Sequence, residues 1–308
     1  MSPITITSTL PRQGPRFKIL PAKIHQGGPY GPPFLFVQIC PNMVEYEATK
    51  ESSLMCLIVL AVDQNPEFPL IMLANRDEFY SRPTAPLQAW HDTPEIIAGR
   101  DLQHQGTWAA WHRDGRLAAL TNIRRPGAMK PGKYSRGELV VDCVQGDDCI
   151  ADILAKLAVD RTLYAPFNLI LGRPGALFYF SSDTCTPEPV TTGIHGLSNA
   201  GLNTPWPKLE YAKHRLRRAL SGHEPLTDGE LFECVLRTEG FPDSELPDTG
   251  VPHEWERILS SPFIVSSDYG TRSTLLLKID RQGSATVSER SYLPEVGPAI
   301  FSQRTFRG

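Results

Sequence analysis

The sequence predicts an α+β protein in which helices and antiparallel sheets are stacked in layers. Its strand-like runs come in neighbouring pairs joined by short turns, which is typical of antiparallel hairpins. Its helical segments are grouped between groups of strands, whereas a parallel sheet would need a helix after almost every strand. The 308 residues are 41% hydrophobic and 21% charged, which provides enough apolar material for a sizeable core.

The first hairpin is predicted from two apolar runs, Cys56–Val62 and residues 70–75, which flank a polar connection that contains proline. Both runs are short and rich in Val, Ile and Leu, so they predict buried strands. The cluster Asn75-Arg76-Asp77-Glu78 lies where the second strand would leave the core. Since a hairpin returns to its starting point, we expect Cys56 to lie close to this cluster of one guanidinium and two carboxylates.

The other strands are predicted from turn residues and from β-branched or aromatic runs. Asp114-Gly115 between two strand-like runs indicates a hairpin, and residues 82–94 are predicted to be a loop. The further strands are predicted at residues 106–113, 116–122, 167–172, 176–181, 263–267, 273–279 and 285–290.

The helices are predicted from their start signals. Ser135 with Glu138 and Thr227 with Glu230 have the spacing of a capping box, and Pro207 suits the first turn of a helix. The predicted helices cover residues 137–144, 149–158, 207–220, 228–237 and 252–259.

Composition argues against several classes of protein. The net charge is −3 and no basic stripe is present, so we expect no nucleic-acid partner. The longest apolar run, residues 54–62, is too short to span a bilayer. No CxxC pair, HExxH motif or phosphate-binding glycine loop occurs, so no metal and no cofactor are predicted. The six cysteines are scattered, which favours the reducing cytosol or an organelle matrix.

Residues 1–54 differ from the rest of the chain. They contain eight prolines and no acidic residue before Glu45. The lack of acid, together with Arg, Lys, Ser and Thr, is typical of a mitochondrial presequence, although the prolines argue against its amphipathic helix. The alternative is a disordered tail, or a stretch upstream of a true start at Met55. We expect residues 1–54 to lie outside the fold and residues 55–308 to form one domain.

A series of short motifs runs from Met55 almost to the C-terminus. The motifs are Met55-Cys56, Asn75-Arg76-Asp77-Glu78-Phe79-Tyr80, Arg82-Pro83, Ala98-Gly99-Arg100-Asp101, Gly106-Thr107-Trp108, Leu120-Thr121-Asn122, Ser135-Arg136-Gly137, Gly196-Leu197-Ser198-Asn199-Ala200, Thr204-Pro205-Trp206 with Lys208, Leu246-Pro247-Asp248-Thr249-Gly250 and Tyr269-Gly270-Thr271-Arg272. Through these motifs, in this order, the chain resembles the NRDE family, also called the transport and Golgi organization protein 2 family. One departure is Gln105, where that family tends to have a second glycine before Gly106.

This resemblance implies a four-layer αββα fold, because the NRDE family looks like the N-terminal-nucleophile hydrolases. In those enzymes the side chain of the first residue attacks a carbonyl, and its own α-amino group takes the proton. An α-amine titrates at about 7.7–8.0, close to working pH, so it can serve as the base.

Similarity to cysteine-type members of that fold, the penicillin V acylases and bile salt hydrolases, implies three roles in the first hairpin. Cys56 would be the nucleophile, and Arg76 beside it would favour the thiolate. Asp77 would bond to the α-ammonium group or orient Arg76. The structural alternatives are an inert core cysteine and a fixed Arg76–Asp77 ion pair.

The same similarity implies three roles outside the hairpin. Asn199 would donate its side-chain amide to the oxyanion, and Asn122 is a second candidate donor. Arg272 would stabilise the site or bind an anionic group of the substrate. The alternatives are that both asparagines hold turns and that Arg272 binds a neighbouring loop carbonyl.

Two main functions remain open from the sequence. The first is an amidohydrolase or acyltransferase acting on a small amide or thioester. The second is a non-catalytic binding protein, because the resemblance implies roles in secretion, Golgi organisation and the handling of lipid, acyl-CoA or haem. A third, weaker alternative is an interaction factor with no small ligand. We expect a cytoplasmic protein, with a mitochondrial or Golgi association as the alternative.

Overall fold

The computed structural model describes residues 56–125, 132–222, 225–294 and 296–308. The predictions made for residues 1–54 lie outside these ranges. None of the helices within them is long and apolar enough to cross a bilayer.

The described residues form two antiparallel sheets and a set of short helices. The strands are β1 Cys56–Val62, β2 Leu70–Phe79, β3 Thr84–Ala89, β4 Ile96–Asp101, β5 Ala109–His112, β6 Leu117–Asn122, β7 Phe167–Arg173, β8 Ala176–Ser181, β9 Glu188–Pro189, β10 Gly193–Leu197, β11 Tyr269–Ile279, β12 Ala285–Tyr292 and β13 Ile300–Arg307. The α-helices are α1 Arg136–Val144, α2 Ile150–Asp160, α3 Pro207–Leu220, α4 Asp228–Glu233 and α5 His253–Leu259.

Strand pairing separates the two sheets. The first sheet has the order β10-β1-β2-β11-β12-β13, and the second has the order β3-β4-β5-β6-β7-β8-β9. Every pairing between these strands is antiparallel.

The sheets and helices form four layers, and an apolar core lies between each neighbouring pair of layers. The largest core lies between the sheets, where Ile58 and Met72 of the first sheet share a cluster with Ile97 and Ala119 of the second. The outer face of the second sheet packs on α1 and α2, and that of the first packs on α3 and α4. The order is therefore helix, sheet, sheet, helix, and the predicted αββα fold is confirmed.

The second strand is longer than predicted. It continues to Phe79, so Asn75-Arg76-Asp77-Glu78 lies inside the strand and not at its end. The reason is that β2 is central in its sheet, and β11 pairs with it as far as Tyr269 opposite Phe79. Four successive polar residues can therefore be buried, with alternate side chains on opposite faces.

Other boundaries also needed correction. The loop predicted at residues 82–94 contains β3, which tolerates Pro86 because it is an edge strand with a register shift between Ala85 and Gln88. Residues 263–267 are not a strand; Phe263 N donates to Arg237 O instead of to a neighbouring strand. Strands β4, β9, β10 and β13 were not predicted.

The helix starts were predicted well. Ser135 and Thr227 each form the complete capping box, and Pro207 opens α3. Helix α4 is shorter than predicted and ends at Glu233. A carbonyl just beyond that end, Val235 O, accepts a hydrogen bond from Asn75 Nδ2 at 3.1 Å. The chain is therefore anchored to β2 where a longer helix would have continued.

Candidate active site

The pairing of β1 and β2 places Cys56 directly opposite Arg76. Both residues continue the row of side chains that faces the space between the sheets, since Ile58 and Ala74, two positions away on each strand, belong to the core there. Ser273 of β11 lies opposite Arg76 on its other side. Cys56, Arg76 and Ser273 therefore lie side by side on three neighbouring strands and form a polar border at one edge of the apolar core.

Cys56 is a partly exposed residue whose thiol lies in low-dielectric surroundings. Burial, and to a smaller extent the nearby Asp77 carboxylate, raises the pKa of the Cys56 thiol to about 12. Arg76 and a hydrogen bond from the Asp77 backbone act in the opposite direction. Arg76 thus lowers the pKa of the thiol, but burial outweighs this effect, so the thiol is protonated at neutral pH.

Arg76 is only 4% exposed and is held by stacking and charge. Its Cζ lies 4.5 Å from the centroid of the Trp108 ring, and its Nη2 lies 3.7 Å from Glu78 Oε2. Arg82 Nε lies 3.6 Å from the same Glu78 oxygen and 2.6 Å from Asp101 Oδ2. The carboxylate that orients Arg76 is therefore Glu78, on the same face of β2, and the charges alternate in sign from Arg76 to Asp101.

Asp77 lies on the other face of β2, towards the helices. Its Oδ1 accepts a 2.6 Å hydrogen bond from Thr271 Oγ1, while its buried Oδ2 accepts none from any residue in the described ranges. Burial raises the pKa of Asp77 to about 6, although the nearby Lys208 ammonium favours the ionised form. The Asp77 side chain and the Cys56 side chain therefore lie on opposite faces of the sheet. Asp77 affects the thiol through the charge of its carboxylate and through a hydrogen bond from its backbone N–H.

Lys208 is a buried cation that the sequence prediction assigned no role. It lies in the first turn of α3, is 2% exposed, and donates from Nζ to Leu259 O at 3.1 Å. Burial lowers the pKa of Lys208 to about 7, and the Asp77 carboxylate partly offsets that effect. In the sequence, the only indication that Lys208 could be functional was its place in the first turn of an amphipathic helix and in one of the family motifs.

A second buried ion pair supports the same side of the sheet. Arg124 Nη1 donates to Glu256 Oε2 at 2.6 Å and to Thr249 Oγ1 at 2.9 Å. The Arg124 backbone N–H donates to Asn199 O at 2.8 Å. Arg124 therefore ties the turn that carries Asn199 to helix α5, a role that sequence reasoning did not predict.

Asn199 and Asn122 are brought together across the two sheets. Asn199 Nδ2 donates to Asn122 O at 2.8 Å. Ser198 Oγ lies 3.1 Å from Cys56 O and 3.3 Å from Asn199 Oδ1. A continuous set of hydrogen-bonded groups thus leads from Cys56 through Ser198 and Asn199 to Asn122, whose contribution to it is a main-chain carbonyl.

Arg272 lies in the irregularity of β11 where the register shifts between Thr271 and Ser273. Its Nη1 donates to Phe79 O at 2.9 Å and to Arg82 O at 3.1 Å. Repulsion from Arg76 and burial lower the pKa of Arg272, burial being the larger effect. Arg272 therefore binds carbonyl groups at the end of β2 and in the following loop, which was the alternative to a direct role in the site. It is still close enough to Arg76 for the two positive charges to repel each other.

The described ranges contain no group of three or more His, Cys, Asp or Glu side chains placed to hold a metal ion. What the arrangement offers chemically is a thiol, an adjacent guanidinium, a carboxylate–ammonium pair behind it, and amide groups in the adjoining turn. This set suits acyl transfer to sulfur, provided that a base can take the thiol proton.

Comparison with known proteins agrees with the motifs. The family model for Transport and Golgi organisation 2 matches residues 55–294. The Mus musculus protein named Transport and Golgi organization 2 homolog is 32% identical over 259 residues, with 78% of this chain and 94% of the mouse protein covered. The Drosophila melanogaster Transport and Golgi organization protein 2 is 29% identical over 255 residues, with 74% and 89% covered.

Two solved structures are also similar. A Caenorhabditis elegans N-acylethanolamine-hydrolyzing acid amidase ortholog matches with a TM-score of 0.42 and 11% identity, covering 72% of this chain and 92% of that one. Penicillin V acylase from Agrobacterium tumefaciens matches with a TM-score of 0.35 and 12% identity, covering 82% and 85%. The αββα order stated above rests on the packing of this chain's own layers. The family match and the relatives together show that the chain belongs to the Transport and Golgi organisation 2 family.

Proposed function

We propose that the chain is a cysteine-dependent amidohydrolase or acyltransferase that acts on a small amide or thioester. The observation that supports this most directly is the placement of Cys56 opposite Arg76, with the Ser198–Asn199 turn hydrogen-bonded to the Cys56 carbonyl. A thiol, a fixed cation and side-chain amides in the adjoining turn suit acyl transfer to sulfur once a base takes the thiol proton.

The proposed reaction has two steps. Cys56 Sγ attacks the substrate carbonyl carbon and gives its proton to a base, which then protonates the leaving amine or thiol as the carbonyl–heteroatom bond breaks. The resulting thioester on Cys56 is attacked by water, which gives a carboxylic acid, or by another acceptor, which gives the transferred acyl product. In the fold type that the family resembles, the base is the α-amine of the cysteine itself.

The proposal is tested with N-acyl p-nitroanilides, whose hydrolysis releases a coloured amine. We expect turnover by a chain that begins at Cys56, together with a mass increase of one acyl group on that residue. Cys56→Ala should abolish both signals. Turnover at an unchanged rate in Cys56→Ala would rule out this residue as the nucleophile.

The second candidate function is ligand binding without catalysis. It is favoured by one specific observation, the thiol pKa of about 12, because a protonated and buried thiol is a poor nucleophile. In this role the protein would carry a hydrophobic ligand such as acyl-CoA or haem and act in Golgi organisation or secretion. Full cellular function of the Cys56→Ala protein would favour this role over the enzyme.

We further propose a cytoplasmic location, with mitochondrial or Golgi association as the alternative, on the basis of the scattered cysteines and the family. Fluorescence microscopy of the chain labelled at its C-terminus, with and without residues 1–54, tests this. Retention of a mitochondrial signal after removal of residues 1–54 would show that those residues are not a presequence.

A further inference from the structure

Arg76, which lies opposite Cys56, belongs to a group of three side chains that each have one buried polar atom without a hydrogen-bond partner within the described residues. These atoms are Arg76 Nη1, Trp108 Nε1 and Glu289 Oε2. Arg76 is 4% exposed and Glu289 is 2% exposed, so solvent does not readily satisfy these groups. A buried polar group without a partner is costly, and a cluster of them indicates a place where a ligand supplies the missing partners.

The three side chains lie against one another between the sheets. The Arg76 guanidinium covers the Trp108 ring. Trp108 Cζ2 and Glu289 Oε2 both lie against Gly99, at 2.8 Å and 3.3 Å from the point where a Cβ would stand. Gly99 therefore leaves the space in which the indole edge and the carboxyl group of Glu289 approach each other.

The Glu289 carboxyl group has one oxygen with a backbone partner. Burial raises the pKa of Glu289, while a hydrogen bond from the Ser273 side chain favours the ionised form and has a smaller, opposite effect. Glu289 Oε1 accepts a 2.8 Å hydrogen bond from the backbone N–H of Leu87. Ala285 and Val287 precede it on the same face of β12 and belong to the core between the sheets. The carboxyl group therefore bridges both sheets through Oε1, while Oε2 lies beside the Trp108 ring, next to Gly99.

The set combines two N–H donors with one carboxyl oxygen. We propose that Arg76 Nη1, Trp108 Nε1 and Glu289 Oε2 bind the CO–NH group of a secondary amide next to Cys56. The two donors bond to the amide oxygen, and Glu289 Oε2 accepts the amide N–H. This inference rests on the proposed function for its location, and it narrows the substrate class from amides and thioesters to amides that carry an N–H.

Competing ligand groups satisfy this set less well. An ester or thioester has a carbonyl oxygen for the donors but no N–H for Glu289 Oε2. A carboxylate would place its second oxygen near Glu289 and near Glu78, whose Oε2 is already 3.7 Å from Arg76 Nη2. Like charges at such distances disfavour a second anion.

The experiment measures binding and not turnover, by calorimetric titration of the otherwise complete Cys56→Ala chain. The probes are N-butylbutanamide, butyl butanoate and sodium butanoate, which share the same short acyl group. We expect the amide to bind about three- to tenfold more tightly than the ester, the range expected for one net hydrogen bond. Equal affinities for amide and ester, tighter binding of the carboxylate, or no binding of any probe would overturn the inference.

Two added substitutions assign the contacts. Trp108→Phe keeps a ring under Arg76 but removes the N–H, so it should weaken amide binding by about three- to tenfold. The matched control is Trp111→Phe, since Trp111 Nε1 is also buried without a described partner but its ring packs against Gly308, whereas Trp108 packs against Gly99. A loss of affinity as large in Trp111→Phe as in Trp108→Phe would show a general packing effect and overturn the assignment.

Glu289→Gln provides the sharpest comparison. Glutamine keeps an oxygen for Leu87 N–H and places an NH₂ donor where Oε2 was, so it should repel the amide N–H and reverse the preference towards the ester. An unchanged preference would remove Glu289 from the site. Because Cys56 is alanine throughout, these results stand apart from the enzymatic proposal: selective amide binding without turnover by the unmutated thiol would overturn only the latter.

Discussion

At the scale of single residues, the buried pair behind the thiol links protonation to stability. Asp77 and Lys208 both lie in surroundings that disfavour charge, and burial shifts their pKa values towards each other, to about 6 and about 7. Near neutral pH the folded protein therefore holds two groups whose protonation states are finely balanced. Such groups are typical of functional sites, and here they lie next to the proposed nucleophile.

Lys208 should make stability rise between pH 7 and pH 10. Its ordinary pKa is 10.5, so in this window the unfolded chain binds a proton that the folded chain does not. Stability then increases with pH, by at most about 1.4 kcal/mol per pH unit. Below pH 7 both states are protonated and this slope disappears.

Thermal unfolding of Lys208→Met across this range checks the effect, because the substitution should flatten the rise. The control is Lys213→Met on the same helix, where the ammonium forms an ion pair with Glu210 at 2.9 Å near the surface. An equal pH slope in the Lys208→Met protein and the original chain would show that Lys208 is charged in the folded state.

At the scale of elements, the turn between β4 and β5 carries a local conflict between residue and conformation. Gln105 has a φ of 60°. This lies in the left-handed region, which is unfavourable for residues other than glycine. The Arg100 guanidinium donates to Gln105 O at 3.2 Å, so the backbone is held in this conformation.

Gln105→Gly should therefore stabilise the protein, by about 0.5–1 kcal/mol, because the strain is relieved. Chemical denaturation monitored by tryptophan fluorescence measures the change. Gln103→Gly is the matched control, since Gln103 lies two residues away and has no positive φ. This substitution should destabilise the protein, because glycine increases the conformational entropy of the unfolded chain. Destabilisation of both variants to the same extent would mean that residue 105 is not strained.

The strands and helices were predictable where local signals acted alone. Strand β1, strand β8 and helix α3 have the predicted bounds. The errors arose where distant chain segments decided the outcome. Strand β2 extends past Asn75 because β11 pairs beside it, and the residues after Phe263 form an isolated bridge with the start of β11 instead of a full strand. Periodicity within one segment carries no information on such partners.

The site shows the same limit. A hairpin argument was sufficient to bring Cys56 to Arg76, since both lie in one local unit. The same argument did not predict that Arg76 and Asp77 point to opposite faces of β2, because the strand was predicted to end before Asp77. Lys208, Glu256 and Glu289 were missed because their contacts, with Leu259, Arg124 and Leu87, join segments that are far apart in sequence.

At the scale of the whole molecule, the family motifs meet in space. Arg82 pairs with Asp101, Thr271 with Asp77, and Asn199 with Asn122. The backbone of Gly106 approaches that of Gly137 so closely that a Cβ on Gly106 would lie 2.3 Å from the Gly137 carbonyl carbon. The motifs therefore hold the two sheets and the flanking helices around the end of the core that carries Cys56.

Residues 1–54 should be dispensable for folding, because their proline-rich composition cannot bury much apolar surface. Limited proteolysis should remove them and leave a stable product that starts near Met55, identified by mass spectrometry. A chain without residues 1–54 should unfold at the same temperature as the full chain. A cooperative loss of structure on their removal would contradict this prediction.

The central claim is that Cys56 acts as a nucleophile only when its own α-amine is free. The thiol is protonated at neutral pH, and the nitrogen of an internal cysteine is an amide that cannot accept its proton. Removal of methionine from a chain that starts with Met55-Cys56 would expose the amine.

The most direct measurement is the rate at which a thiol-directed acylating probe modifies Cys56 in this shorter chain and in the full chain. We predict faster acylation of the shorter chain, complete loss of the reaction in Cys56→Ala, and only a remnant in Cys56→Ser. Equal rates in the two chains, both abolished by Cys56→Ala, would contradict the claim by showing that the α-amine is not the base.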